Sequence, residues 1–393
     1  MAKMTIKDMD LTGKRVLIRV DFNVPLMPDL EISDDMRIKA ALPTIQYALD
    51  KKARVILMSH LGRPKGKVVD ELRLTPVAKR LSELLTREVK TVNDCIGPEI
   101  EEAAAGLKEG EVLLLENVRF HEEETKNDAD FAKALFSLGD IFINDAFGSS
   151  HRAHASVVGV ADYLPAAAGF LLMKEIKYFE KILHNPEHPF YAILGGAKVS
   201  DKIGVINNLL NIADKILIAG GMAYTFLKAQ GIPIGASKLE EDKIETANQI
   251  LAWAKERNKK IVLPLDHIVT DRIDAGAVTA EVGQAIPDGK IAVDIGPKTR
   301  ELFKNELKDA KTVVWNGPVG IFEIEAFSYG TREIAEYLAS VNAVKVIGGG
   351  DTAACIEQMN LADKFSHIST GGGASLEYLE GKILPGIKAL KEK

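Results

Sequence analysis

Short apolar runs alternate with longer amphipathic segments along the whole chain. The runs of the first half span 15–24, 54–63, 111–120 and 140–148, with helical segments such as 37–52 and 75–89 between them. Those of the second half span 190–198, 215–222, 260–269, 312–320, 345–352 and, shorter, 365–374. This rhythm predicts βαβ units and parallel sheets. Nearly every run starts apolar and ends in Gly, Asn, Asp, His or Arg. Turn chemistry alone explains such an ending at a single strand. Ligands of open α/β sheets, however, also bind beyond the carboxyl ends of the strands.

The endings differ between the halves. Up to residue 165 the arginines are Arg15, Arg19, Arg37, Arg54, Arg63, Arg73, Arg80, Arg87, Arg119 and Arg152; after it only Arg257, Arg272, Arg300 and Arg332 remain. The glycine clusters Gly195-Gly196, Gly220-Gly221, Gly348-Gly349-Gly350 and Gly371-Gly372-Gly373 all lie in the second half. Guanidinium groups grip phosphate and carboxylate in forked pairs. Clustered glycines let backbone N–H groups close around nucleotide phosphates. One half reads as built for a small anionic metabolite and the other for a nucleotide, which suggests phosphoryl transfer.

A chain of 393 residues exceeds what one hydrophobic core usually serves. The helical segment 163–183, introduced by Pro165 and broken by the prolines of 184–189, marks the boundary. The expected fold is α/β, two Rossmann-like domains with parallel sheets joined by a hinge helix. The domains are expected over 1–165 and 185–375, with the helix over 166–184. The apolar tail 376–393 is expected to pack back on the first domain. A formal net charge of −6 and a pI near 5.9 argue against nucleic-acid binding. No apolar stretch approaches the roughly 20 residues of a membrane span, and the start lacks the apolar run of a signal peptide. Cys95 and Cys355, far apart and in no metal-ligand spacing, read as buried thiols in a reducing compartment. A cytoplasmic enzyme with no nucleic-acid or membrane partner is expected.

Familiar phosphotransferase signatures are absent. The stretch 62-GRPKGK-67 is too short for a G-x-x-x-x-G-K-[ST] loop, and there is no protein-kinase catalytic loop or D-F-G motif. No G-x-G-x-x-G follows the first strand, which disfavours a dehydrogenase.

The stretches 19-RVDFNVPL-26, 59-SHLGRPKG-66, 115-LENVRFHEEETKND-128, 144-NDAFGSSHRAHAS-156, 194-LGGAKVSDKIGVI-206, 220-GGMAYTFLKA-229, 314-VWNGPVGIFE-323, 348-GGGDTAA-354 and 368-ISTGGGASLEYLEGKILPG-386 resemble the phosphoglycerate kinase family nearly from end to end. Departures are small: Ser149-Ser150, and the loop 27–30. The resemblance implies a monomer that moves a phosphoryl group between 1,3-bisphosphoglycerate and MgADP, giving 3-phosphoglycerate and MgATP. By resemblance Asp21 and Asn23 hold the glycerate, and Arg37, His60, Arg63, Arg119 and Arg152 form a basic cradle in the first domain. Lys198 joins Arg37 in stabilising the moving phosphoryl group. On the nucleotide side, Gly196, Gly220, Gly221, Asn316 and Pro318 border adenine and ribose, Glu323 accepts from the ribose hydroxyls, and Lys202 reaches the phosphates. Gly349, Gly350, Asp351 and Thr352 form a phosphate turn with Asp351 on Mg²⁺, and the helix after Gly371, Gly372 and Gly373 adds its dipole.

Read singly, several of these residues have plainer explanations. An isolated arginine is usually at the surface, His60 suits a strand-end cap, and Lys198 and Lys202 suit a solvated helix face if their segment is helical. His151 and His154 are expected to orient the loop around Arg152, and Glu122-Glu123-Glu124 reads as a solvated charge run. The acceptor of the reverse reaction is a carboxylate, already ionised near neutrality, so no general base is required. A nucleotide-binding module that has lost catalysis is the alternative, against which Arg37, Lys198, Lys202 and Asp351 are all retained.

Overall fold

The apolar runs are too short for core helices, and strands covered on both faces need no polar alternation. The computed structural model, which describes residues 3–393, shows strands at those runs. In the unit formed by Met1–Lys177 with Ile383–Lys393, the strands are β1 (Arg15–Arg19), β2 (Arg54–Met58), β3 (Val89–Thr91), β4 (Val112–Leu114), β5 (Ile141–Asn144) and β6 (Ala166–Ala168). They make one parallel sheet in the order β3-β4-β2-β1-β5-β6. In the unit Tyr178–Lys382, β7 (Phe190–Leu194), β8 (Lys215–Ile218) and β9 (Lys260–Val262) are followed by β10 (Asp266–Thr270), β11 (Ala280–Gly283) and β12 (Ile291–Ile295). Then come β13 (Thr312–Asn316), β14 (Val344–Gly348) and β15 (His367–Ile368). A second parallel sheet runs β15-β14-β13-β7-β8-β9, and β11-β10-β12 form a small antiparallel sheet.

Each parallel sheet starts near its middle and reverses direction once. The chain leaves β1 toward β2 and returns on the other flank at β5; it leaves β7 toward β8 and returns at β13. The crevices beyond β1/β5 and β7/β13 are therefore the switch points where ligands of such sheets bind. Ile18, Leu57, Leu114 and Ile143 anchor the first core, and Ile193, Leu217, Trp315 and Ile347 the second. Among the described residues no helix is long and apolar enough to cross a membrane.

Several details differ from the sequence expectation. The helix expected from 166 starts at Phe170 and runs to His184. Ala166–Ala168 pair with β5 instead, because three small side chains fit an edge strand against Phe142–Asn144. The division between the units falls within this helix, after Lys177. Within the tail, residues 376–382 stay with the second unit as the end of the helix Gly372–Leu379, and only Ile383–Lys393 group with the first. There Gly386 N–H donates to Ser150 O (2.9 Å) and its carbonyl accepts from Asn144 Nδ2 (3.1 Å). The helix expected over 75–89 stops at Leu85, where Thr86 turns left-handed (φ 48°) and frees Val89 to start β3. The 260–269 run splits at Pro264 into β9 and β10, and the antiparallel sheet is absent from the βαβ reading.

Asp145, just beyond β5, is fully buried; its Oδ1 accepts from Leu172 N–H (3.1 Å), while Oδ2 has no partner among the described residues. Burial pushes its carboxyl up to about 7 from 3.8. A raised folded-state value means stability that is full in acid and lost as pH rises through the folded value. Asp145→Asn cannot ionise, so it is expected to raise the thermal midpoint at about pH 8 and to gain less at about pH 5. An equal shift at both pH values contradicts this account.

Candidate active site

The chain leaves β1 through Arg19 and turns across the sheet's switch point at Asp21 and Asn23. Asp21 is buried, and its Oδ2 accepts from Arg37 Nη1 at 2.9 Å, with Arg37 in the first turn of the helix Met36–Asp50. Burial opposes ionisation, yet Arg37 holds the Asp21 carboxyl below the usual carboxylate range. Asn23 Oδ1 accepts the N–H of Gly62 at 2.7 Å, which ties the loop after β1 to the loop after β2. That second loop carries His60 and Arg63. His60 is buried, its Nδ1 3.1 Å from Arg19 Nη2 and 4.0 Å from Asp21 Oδ1. Burial, aided by Arg19, Arg119 and Arg37, outweighs Asp21 and holds the ring well below the usual histidine range. The 4.0 Å approach to Asp21 is therefore not an ion pair.

Arg119, in the turn Val118–Phe120 after β4, donates from Nη1 to Gly62 O at 2.9 Å. It also lines a cleft of about 510 Å³ with exposed Arg63, half-buried Arg152, Lys65, Lys126 and Glu122. Asp21, Asn23, Arg37, His60 and Arg119 are thus linked by bonds through a shared pair of loops, while Arg63 and Arg152 join through the cleft that Arg119 shares. A larger cleft of this unit, about 890 Å³, is lined by Asp35, Asp70, Arg73, Arg80 and Glu83. Its arginines are already paired with those carboxylates at 2.7–2.8 Å, and the exposed Lys79 that also lines it stands among an excess of carboxylates, which disfavours an anionic ligand.

In the second unit the switch point is made of backbone. Gly195 N–H donates to Asn316 O (3.0 Å), Gly196 N–H to Pro318 O (3.1 Å) and Gly220 N–H to Val319 O (3.2 Å). A Cβ at Gly195 would run into the carbonyls of Gly317 and Pro318, so only glycine lets these loops close. Gly220 (φ 67°) and Gly221 also pack closely, on Gly196 and Ala197 respectively. Beyond β14, Gly349 (φ 91°) caps the helix Gly350–Gln358, with Asp351 exposed in its first turn. The helix Gly372–Leu379 begins after Gly371, with Gly373 exposed in its first turn, and a Cβ on Gly372 would lie 3.9 Å from the N of Gly350. Two helix N-termini therefore open side by side, an arrangement that favours anions.

Lys202 is buried with its ammonium on the Asn316 side-chain oxygen, and 3.5 Å from the Asn316 carbonyl. Burial brings it down to about 8, with Asp201 and Asp351 pulling the other way. Lys198 is exposed. The helical face expected to join the two lysines does not form: after Gly195-Gly196 the chain makes a turn closed by Lys202 N–H on Val199 O (2.8 Å), and the helix starts at Ile203. Thr352 is fully buried with its hydroxyl accepting from Gly317 N–H (2.9 Å), so it braces the Asn316–Pro318 loop. Glu323 is exposed, near enough to Cys355 of the helix Gly350–Gln358 to act on its thiol.

The charge run is solvated only in part. Glu122 and Glu123 are exposed, but Glu124 is fully buried and accepts from Ser156 N–H (2.8 Å) and Oγ–H (2.6 Å). His151 Nε2 accepts from Arg152 Nε at 3.1 Å, and His154 Nδ1 lies 3.6 Å from Glu124. Both cysteines are free and buried. Cys95 lies in a cluster with Asp94 and His121, whose Nε2 is 2.7 Å from Asp94 Oδ1, and burial pushes the Cys95 thiol up, away from the thiolate a metal needs. Arg19, Gly148 and Ser149 also belong to the Asp21 surroundings: a Cβ at Gly148 would strike Asp21 Oδ2, and Ser149 Oγ lies 3.5 Å from it. Arg19 was legible only as a strand-end arginine, and Gly148 and Ser149 carried no signal of their own.

The sequence model of the phosphoglycerate kinase family matches residues 6–382. The chain is 59% identical to the phosphoglycerate kinase of Moorella thermoacetica over 100% of both chains, and 59% identical to that of Dictyoglomus turgidum over 100% of both. Among solved structures it resembles phosphoglycerate kinase from Coxiella burnetii (44% identity, TM-score 0.88) and from Pyrococcus horikoshii (35% identity, TM-score 0.87), each over 98% of both chains.

Proposed function

The chain belongs to the phosphoglycerate kinase family, and on that premise we propose that its first unit holds the glycerate and its second the nucleotide. The family's glycolytic reaction moves a phosphoryl group between 1,3-bisphosphoglycerate and ADP, giving 3-phosphoglycerate and ATP. The observation that carries the division of labour is the contrast between the switch points. Beyond β1/β5 lie Asp21, Arg37, His60 and Arg119, and beyond β7/β13 lie close-packed glycine loops beside two helix N-termini.

In this reading Arg37, Arg63, Arg119 and Arg152 neutralise the glycerate's phosphate and carboxyl ends, with Asp21 and Asn23 on its hydroxyl region. Lys202 and the N-termini at Gly350 and Gly372 receive the nucleotide phosphates. Gly196, Gly220, Gly221, Asn316, Pro318 and Glu323 border the nucleoside. Asp351 suits Mg²⁺: one exposed carboxylate beside a phosphate site fits an ion that keeps waters and takes its other ligands from phosphate oxygens. Bound there, Mg²⁺ supplies charge neutralisation on the phosphates.

The phosphoryl group passes directly, in line, from one oxygen to the other, with Arg37 and Lys198 stabilising its charge and no side chain accepting it. The carboxylate acceptor needs no base. Direct transfer also requires hinge closure that brings the two ligands together and excludes water from the acyl phosphate. Turnover with ³²P-labelled ATP, quenched and denatured, is expected to leave no label on the protein, and small-angle scattering to show most compaction with both ligands present. A trapped phosphoenzyme contradicts direct transfer, and an uncompacted ternary complex contradicts closure.

A further inference from the structure

We propose that Arg19 is a positioning residue which fixes His60 as the neutral tautomer protonated at Nε2, making His60 a hydrogen-bond donor that exchanges no proton during turnover. The direction of the bonds carries this. Arg19 is fully buried at the carboxyl end of β1 and makes contacts on every nitrogen: Nε to Ser156 Oγ (2.8 Å), Nη1 to the carbonyls of Val20 and Met58, and Nη2 to His60 Nδ1 (3.1 Å). A guanidinium only donates. His60 Nδ1 must therefore offer its lone pair, and a neutral ring then carries its single proton on Nε2.

The far end of the same network fixes the same direction. Ser156 has one hydroxyl proton and gives it to Glu124 Oε1 at 2.6 Å, which leaves its lone pair for Arg19 Nε–H. Glu124, itself fully buried, is the counter-charge that keeps Arg19 in place. The charged groups around His60 are Arg19 on β1, Asp21 beyond it, Arg37 on the helix Met36–Asp50 and Arg119 in the turn Val118–Phe120. Burial, with the three arginines beside it, outweighs Asp21 and disfavours a second proton on the ring, which supports the same tautomer. Among the described residues no protein group accepts from Nε2, so its N–H is available to an oxygen of an anionic ligand.

The inference rests on the glycerate site proposed above only for what Nε2 binds; the tautomer stands independently of it. The test is long-range ¹H–¹⁵N spectroscopy of the full chain labelled at histidine, with His60 assigned by the signal missing in His60→Gln. Nδ1 is expected at the unprotonated shift and Nε2 at the protonated shift, unchanged from about pH 6 to about pH 8. A protonated Nδ1, alone or in an imidazolium, overturns the proposal. Addition of 3-phosphoglycerate is expected to move the Nε2 signal. No movement with the tautomer as stated would remove the glycerate reading and leave the positioning role. Arg19→Met with Glu124→Met removes both buried charges together; tautomer mixing is expected, and a pure Nε2 tautomer in that folded variant contradicts the role of Arg19. Should that variant not fold, His60→Gln and His60→Asn decide between donor and acceptor. Gln retains an N–H at the Nε2 position and Asn only an acceptor at that of Nδ1, so KM for 3-phosphoglycerate is expected to be about tenfold higher in His60→Asn. Equal KM values contradict a donor role.

Discussion

Arg37→Ala is expected to lower kcat about a thousandfold, with a much smaller rise in KM for 3-phosphoglycerate. Phosphoryl transfer depends on positioning and charge, so an arginine aimed at the transferring group acts mainly in the transition state. Arg37 is held by Asp21 at 2.9 Å, from the first turn of the helix Met36–Asp50. The substitution also strips Asp21 of its directly paired cation, leaving Arg19 as the remaining positive neighbour, and a buried carboxylate without its ion pair is costly. Asp21→Asn added to Arg37→Ala separates the two effects: the double variant should regain stability and stay as slow. Steady-state kinetics with both substrates measure this. A loss confined to KM would make Arg37 a binding residue only.

Lys202 gives the second large effect, through pH. Its ammonium lies near 8 because of burial, and only Asp201 and Asp351 oppose the shift. A depressed value means that the free enzyme loses this charge just above neutrality, while phosphates favour the protonated form. Nucleotide affinity is therefore expected to be flat below about pH 8 and to fall above it by up to tenfold per pH unit. Lys202→Met should weaken nucleotide binding by about a hundredfold below that pH and abolish the slope above it. Calorimetric titration of ADP across this range reads both effects. An unchanged slope in Lys202→Met would assign the titration to another group.

The parallel sheets were legible because strands buried on both faces must be apolar, as β1, β2, β7 and β13 are. The switch points followed from where those strands end, and so did the contrast between Arg37, Arg63 and Arg119 on one side and the glycine clusters on the other. Elements fixed by tertiary context escaped the reading. Ala166–Ala168 carry no strand signal and are recruited by the free edge of β5. The antiparallel β10–β12 sheet lies outside the repeating strand–helix rhythm. Burial decided the remaining differences. Glu124 sits in an acidic run that looks solvated, and only the fold shows it buried against Ser156 beneath Arg19. Lys198 and Lys202 were spaced for one helical face, but the turn closed by Lys202 N–H on Val199 O delays the helix to Ile203, exposing one lysine and burying the other.

The measurement that tests the account most directly is NADH oxidation coupled through glyceraldehyde-phosphate dehydrogenase, with 3-phosphoglycerate and MgATP as substrates. The account predicts turnover that requires both substrates, falls about a thousandfold in Arg37→Ala and collapses in Lys202→Met at subsaturating nucleotide. Nucleotide binding without turnover in the unmodified chain would contradict it and leave a protein that binds through the second unit alone.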